Sequence, residues 1–218
     1  MIPMTPSATR RSTDERRVEI AEAALRLIGR RGIADLTIAS LATEVGVTSG
    51  ALFRHFASRD EILDAAFRRV EELIAATFPP QGLPPLERLE KLLLVRTGVV
   101  GANAGVARLL FSDQFQLALP ASATRRLPAL VAQTRTFIIK ALTEAVELGE
   151  VRKDVAPADL ALLVMGAIQA TAFSIAISSG ASQGQPKTPD AGAQSRRAWS
   201  TLATVLAPPA TLSRKKRN

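Results

Sequence analysis

The sequence of 218 residues contains no cysteine, no tyrosine, one tryptophan and one histidine, His55. Without cysteine the chain has no disulfide, no thiol nucleophile and no cysteine-ligated metal. A single histidine offers no histidine pair, and the sequence carries neither a glycine-rich phosphate loop nor metal-ligand spacing. We therefore expect no metal, no cofactor and no enzymatic activity.

Residues that favour strands are also scarce. Aromatic residues make up 4% of the chain, whereas hydrophobic residues make up 47%, mostly alanine and leucine. This composition favours helices, so we expect an all-α protein with a sizeable core. The N-terminal segment MIPMTPSATRR has no apolar stretch typical of a secretory signal, which predicts a cytoplasmic protein.

The net charge of +8 suggests a polyanionic partner, but half of it comes from one run, Arg214–Arg217. We expect residues 208–218 to form a basic tail and residues 1–12 a disordered arm. Arg10 and Arg11 in that arm would either reach a minor groove or remain solvated. Charge alone is therefore a weak indication of DNA binding.

Two short helical patterns separated by a glycine are typical of a helix-turn-helix. Thr37 is placed to cap a helix over 38–45, Gly46 to end it, and Thr48 to cap a helix over 49–56. With the preceding helical pattern, they predict a three-helix DNA-binding domain over residues 13–57.

The second of these helices begins with the small residues Ser49, Gly50 and Ala51. Gly50 costs a helix about 0.8–1 kcal/mol relative to alanine, and close approach to a DNA backbone would justify that cost. Leu52 and Phe56, four residues apart, are expected to anchor the helix to its domain.

Three residues of this helix are expected to face the groove rim and the phosphates: Phe53, Arg54 and His55. Arg59, near the start of the next helix, is expected to contact a phosphate. His55 has either a phosphate-contacting or a structural role.

The segment GIADLTIASLATEVGVTSGALFRHFASRDEIL resembles the DNA-binding domain of the tetracycline-repressor (TetR) family of bacterial transcriptional regulators. The matching residues are Gly32, Thr37, Ile38, Leu41, Ala42, Gly46, Val47, Gly50, Leu52, Phe56 and Leu63. The resemblance covers about 50 residues and implies an all-helical homodimer that binds a palindromic double-stranded DNA operator.

By the family's pattern, the positions that usually face DNA are Thr37, Thr48, Ser49, Gly50, Phe53, His55 and Arg59. Members of the family often have tyrosine at the position of Phe53, whose hydroxyl bonds a phosphate. Phenylalanine cannot donate that bond, so we expect Phe53 to contact a thymine methyl group or a sugar.

Residues 58–207 are predicted to form a helical ligand-binding and dimerisation domain. Helical patterns cover 85–101, 104–117, 122–148, 157–178 and 195–207, and residues 178–194 have the composition of a loop. The last two helices are expected to form the dimer interface, through Gly166, Ala167, Ala170, Trp199, Leu202, Val205 and Leu206.

Residues 160–177 form an uncharged run that reaches the length of a membrane span. Gln169, Thr171 and Ser174 interrupt its apolar character, and a helix that is apolar on all sides is also expected in a core that meets a second subunit. We interpret the run as such a helix and expect no membrane association.

An effector pocket is expected among Phe111, Phe115, Phe137, Met165, Gln169 and Phe173, each of which is otherwise an ordinary core residue. The scarcity of buried charge favours a small apolar or weakly polar effector. The expected function is a ligand-responsive transcriptional repressor. The alternatives are a nucleoid or cell-division factor that uses the same domain without an effector and, more remotely, a helical enzyme.

Overall fold

The computed structural model describes residues 13–180 and 190–209, and these residues contain helices and no strands. The predicted N-terminal arm, nearly all of the basic tail and most of the loop over 178–194 lie outside the described residues. The helices are α1 Thr13–Arg31, α2 Ile38–Val45, α3 Ser49–Phe53, α4 Arg59–Ala75, α5 Pro85–Gly101, α6 Ala104–Phe111, α7 Asp113–Ala118, α8 Ala121–Glu147, α9 Pro157–Gly180 and α10 Ala191–Leu206. The all-α fold, with an N-terminal helix-turn-helix domain and a C-terminal helical domain, is confirmed.

One predicted helix ends earlier than expected, and another is divided into two. α3 stops at Phe53 instead of residue 56 because the following hydrogen bonds join residues three apart, as in a 3₁₀ turn. The N–H of Arg54 donates to the carbonyl of Ala51, and that of His55 to the carbonyl of Leu52. The helix predicted over 104–117 is interrupted at Ser112, whose extended backbone divides it into α6 and α7.

The described residues form two hydrophobic cores. The first joins α1–α4 to α6, to the N-terminal part of α8 and to the C-terminal end of α9, and it is centred on side chains such as Leu25, Phe56 and Phe67. The second lies at the far end of the molecule between α5, α8, α9 and α10. We call α1–α3 the head and α5–α10 the body, with α4 between them.

The head meets the body where α1 crosses α6 in close contact. A Cβ atom on Gly105 would lie 2.0 Å from the carbonyl oxygen of Leu25, and one on Gly29 would lie 2.7 Å from the backbone nitrogen of Gly105. Only glycine permits this approach. The crossing therefore has no spare volume, and a shift of α6 must be passed on to α1.

A second contact fixes the middle of α4 to α8. The guanidinium of Arg126 lies 3.0 Å from Asp64 and 3.0 Å from Glu71, over the ring of Phe67. Burial disfavours the charged form of Asp64, but hydrogen bonds from Ser122, Arg68 and Arg126 outweigh it and lower the pKa of the carboxyl to about 2. The network therefore stays ionised at neutral pH.

A third contact holds the C-terminal end of α4 to the body. Arg96 of α5 is buried and donates to the hydroxyls of Thr77 and Thr134 and to the carbonyl of Ile74, at 2.8, 2.8 and 3.1 Å. Its guanidinium also stacks on Phe78. All of these partners are neutral, and burial lowers the pKa of Arg96 to about 10. The charge is instead solvated by dipoles, including the negative end of α4.

Candidate DNA-binding site

The two helices of the predicted motif are joined by a short turn that is capped on both sides. Thr37 and Ser40 form a reciprocal capping box at the start of α2, with hydrogen bonds of 3.1 and 3.0 Å. Gly46 ends α2 with φ of 73°, a left-handed conformation that favours glycine. The side chain of Thr48 then accepts from the N–H of Ala51 and begins α3 after a three-residue connection. These predicted caps are confirmed.

The leading end of α3 is exposed and small. Thr48, Ser49 and Gly50 all face solvent. A Cβ atom on Gly50 would meet no other atom of the described residues within 4 Å, and its φ is not in the left-handed region. Neither the packing nor the backbone of this chain therefore requires glycine here. The space beside Gly50 is available to a partner outside the chain.

Residues 52–56, at and just after the end of α3, divide between core and surface as the pattern predicts. Leu52 and Phe56 are fully buried, whereas Phe53 is 52% exposed and Arg54 is exposed. An exposed phenylalanine beside an exposed arginine extends the open surface of α3 by one turn. This surface has small, apolar and cationic parts, which suits contact with sugars, bases and phosphates.

His55 lies at the contact between α3 and α1. It is half-buried, its carbonyl oxygen accepts a hydrogen bond from Arg17 of α1, and the guanidinium of Arg17 stacks 4.2 Å from the ring centroid of Phe56. Its Nδ1 is buried and has no hydrogen-bond partner among the described residues. Arg17 was not predicted, because no local motif distinguishes it from the other arginines of α1.

Arg59 is placed differently from its predicted phosphate contact. Its Nε donates to the carbonyl of Leu36 at 2.8 Å and its Nη2 to that of Ile33 at 3.0 Å. Both carbonyls lie in the loop between α1 and α2, so the guanidinium is directed into the head. Arg59 thus fixes the loop that carries Thr37, the cap of α2.

The six predicted effector residues lie in three different environments. Phe111 and Phe115 belong to the first core, and Phe137 and Met165 to the second, where Phe137 packs on Phe78 with ring centroids 5.1 Å apart. Gln169 and Phe173 are exposed on α9. Their spacing in the sequence did not indicate which side of each helix faces which core.

The seven predicted interface residues divide in the same way. Gly166 and Ala170 of α9 and Val205 of α10 are exposed, and Ala167 and Trp199 are half-buried. Leu202 and Leu206 belong to the second core, and Leu206 has no exposed surface, so these two side chains pack within their own subunit. Only the outward residues of this set are available to a second copy.

Helix α9 leaves a large apolar surface open. Leu162, Leu163, Phe173 and Ile177 are 47–60% exposed, although they belong to the helix with the most apolar sequence. Among the described residues, α9 is long and apolar enough to cross a membrane, as are α5 and α6 if that bent pair is taken as one span; buried core helices meet the same criterion. The inner side of α9 is packed in both cores.

The capped turn, the buried anchors and the exposed tip of α3 define a helix-turn-helix DNA-binding protein. The model of the family "Bacterial regulatory proteins, tetR family" matches residues 20–66. Residues 20–66 therefore form a DNA-binding domain of the tetR family, and the chain is a DNA-binding transcriptional regulator. The resemblance predicted from residues 32–63 is confirmed.

Similarity to individual proteins extends beyond this domain. The chain is 26% identical over 170 residues to the nucleoid occlusion factor SlmA of Marinomonas sp. (strain MWYL1), a match that covers 77% of this chain and 81% of SlmA. The structure of the ketosteroid transcriptional regulator KstR2 of Mycobacterium tuberculosis has a TM-score of 0.72 at 20% identity, covering 94% and 97% of the two chains. That of AibR in complex with isovaleryl coenzyme A and operator DNA has a TM-score of 0.69 at 19% identity, covering 89% and 99%. At these identities, the two structures show a shared fold.

Gly50→Leu should weaken operator binding about tenfold or more, because its side chain would occupy the space that the DNA backbone needs. The free energy of unfolding should stay within about 1 kcal/mol of the original, since no atom of the chain lies near. Gly98→Leu on α5 is the matched control: Gly98 is also exposed with an empty Cβ position, and this variant should bind normally. Equal affinities of the two variants in a gel-shift titration would contradict the close approach.

Arg59→Met tests whether Arg59 fixes the head or contacts a phosphate. Loss of its two hydrogen bonds should lower the free energy of unfolding by about 1–3 kcal/mol and weaken binding while leaving the salt dependence of affinity unchanged. Arg54→Gln, at an exposed position, should instead lower the salt slope by about one phosphate contact. If Arg59→Met lowers the slope without affecting stability, the phosphate contact predicted from the sequence is correct.

Proposed function

We propose that this protein is a ligand-responsive transcriptional repressor that binds a palindromic operator as a homodimer in the cytoplasm, on the nucleoid. The observation that carries the proposal is the exposed tip of α3, where Gly50 has no role in the packing of the chain. Its mechanism is regulatory and not enzymatic.

In the proposed complex, α3 enters a major groove about 12 Å wide with Thr48, Ser49 and Gly50 leading. Phe53 contacts a thymine methyl group or a sugar, because it has no hydroxyl to donate to a phosphate. Arg54 neutralises a phosphate at the groove rim. The other predicted positions have supporting roles: Thr37 begins α2, His55 joins α3 to α1, and Arg59 fixes the loop before Thr37.

The proposed dimer interface is the outer side of α9 and α10. Leu162, Leu163, Gly166 and Ala170 form a continuous apolar stripe along α9, and Val205 of α10 lies beside it. A two-fold axis through this stripe would bury it against its own copy, and the small residues would allow the helices to approach closely. The same axis would present two α3 helices to a palindrome.

The head is coupled to the body through the three contacts already described. A ligand that shifts α5, α6 or α8 would move α4 through Arg96 and Arg126, or α1 through the crossing at Gly105. Release of DNA requires two conformations, one in which the spacing of the two α3 helices fits the operator and one in which it does not. The ligand must bind the second conformation more tightly than the first. The similar protein AibR was crystallised with isovaleryl coenzyme A and operator DNA, which supports a small-molecule effector.

One observation favours a second candidate. The match to SlmA covers most of both chains and extends beyond the helix-turn-helix domain. In a nucleoid occlusion role, the same DNA-binding domain would bind many dispersed sites on the chromosome and need no effector. Genome-wide mapping of bound sites distinguishes the two functions, because a repressor should occupy a few promoters.

Selection of bound duplexes from a random pool tests the proposed function. The protein should enrich an inverted repeat whose half-sites lie about 10 base pairs, or a multiple, apart. Ala170→Glu places a charge on the exposed stripe of α9 and should yield monomers that enrich no inverted repeat. Ala132→Glu at an exposed position of α8 is the control and should behave as the original protein. Failure of the unaltered protein to enrich any sequence would exclude the proposal.

A further inference from the structure

A groove of about 1090 Å³ lies between the head and the body. Its head side is formed by α1, and its body side by the start of α6 and the C-terminal part of α9. Gly29 and Gly105, which bring α1 and α6 into contact, line it as well. We call this space the head–body groove. Anything bound there touches both sides of the joint that the proposed mechanism moves.

The charged lining of the groove is predominantly cationic. It contains four arginines, Arg26, Arg30, Arg31 and Arg108, and two glutamates, Glu22 and Glu44, which leaves a net charge of +2. Arg26 and Arg30 share Glu44, and Glu22 is paired with Arg69 from α4.

Two of the four arginines have no carboxylate partner among the described residues. Arg31 ends α1 and is exposed, and Arg108 donates only to the carbonyl of Ile28, at 3.3 Å. Their guanidinium groups therefore have free donors for an anion, and guanidinium binds carboxylate and phosphate in a fork geometry.

The part of the groove lining that comes from α9 is apolar. Phe173 and Ile177 of α9 are 47% and 56% exposed, and Ala176 lies between them along the helix. These residues lie at the head end of α9, beyond the part of the stripe assigned to the dimer interface. A groove that is lined by both an apolar surface and unpaired cations is complementary to a molecule with an apolar part and an anionic group.

We propose that the head–body groove binds a small amphipathic anion, an acyl chain or ring that carries a carboxylate or a phosphate. The apolar part packs on Phe173 and Ile177, and the anion pairs with Arg31 and Arg108. Because α1 and α6 have no spare volume at Gly105, a ligand between them shifts the head relative to the body. The inference rests on the proposed function and assigns its effector a site and a chemical class.

Calorimetric titration of the full-length protein with four probes tests the ligand class. The probes are octanoate, octanoyl coenzyme A, coenzyme A alone and octanol. Octanoate or octanoyl coenzyme A should bind about tenfold or more tightly than octanol, since a charge-assisted hydrogen bond contributes roughly 1.5–3 kcal/mol, or about ten- to a hundredfold. If octanoate binds, the anion is a carboxylate. If octanoyl coenzyme A binds and octanoate does not, the anion is a phosphate. Equal binding of octanol, or no binding of either anionic amphiphile, overturns the proposal.

Paired variants test the site. The double variant Arg31→Gln, Arg108→Gln should weaken the better probe about tenfold, and Phe173→Ser should weaken it independently. The double variant Arg125→Gln, Arg135→Gln removes the same charge from exposed positions of α8 and should bind within about twofold of the original. If both double variants weaken binding of the probe equally, the effect is due to net charge, which would contradict binding in the head–body groove.

Operator binding measured without any probe separates this inference from the function on which it rests. If the protein binds its operator and a neutral compound releases it, the repressor function stands and the groove proposal fails. If the protein enriches no operator, the proposed function itself fails. If the anionic probe releases the operator, and the Arg31→Gln, Arg108→Gln variant loses this response, the result supports both the repressor function and the groove proposal.

Discussion

Two recognition helices can read one duplex only if they are held about one helical turn apart, roughly 34–36 Å. In the proposed dimer, contacts at three levels would contribute to that constraint. Gly46 and the caps of α2 and α3 fix the orientation of the helix within the head. The glycine crossing of α1 and α6 and the ion pairs of α4 fix the head on the body. The outer side of α9 would then fix one body against another.

The coupling contacts differ in physical character, and this has consequences for regulation. The α1–α6 crossing is steric, since its backbones leave no space for movement in one direction. The contact of Arg126 with Asp64 and Glu71 is ionic and directional. Arg96 has only neutral partners, so its charge is stabilised by dipoles that depend on the position of α4. A small shift of the body would therefore be passed on to α1 by steric contact at the crossing, and to α4 through Arg126 and Arg96.

The all-α fold and the helix-turn-helix of the head were predictable from sequence, because the residues that define them lie close together in the chain. Glycine and capping residues at fixed offsets define α2 and α3, and apolar spacing defines the longer helices. The side-chain contacts that join one helix to another were not predictable in this way. Arg59 precedes an acidic turn, but its inward direction depends on carbonyls 23 and 26 residues away. Likewise, helical period shows that α10 has an apolar side, but not that Leu206 packs within its own subunit.

The distance between the two α3 helices is the most direct test of the central claim. Because the chain has no cysteine, Thr43→Cys introduces a single site for a spin label in each protomer, at an exposed position of the head to which no DNA contact is assigned. Pulsed dipolar spectroscopy of the protein bound to its operator should give one label separation, the one expected when the two α3 helices lie about 34–36 Å apart, and a different or broader one when an effector releases the DNA. Absence of dipolar coupling, or a separation that does not change between the two states, would contradict the account.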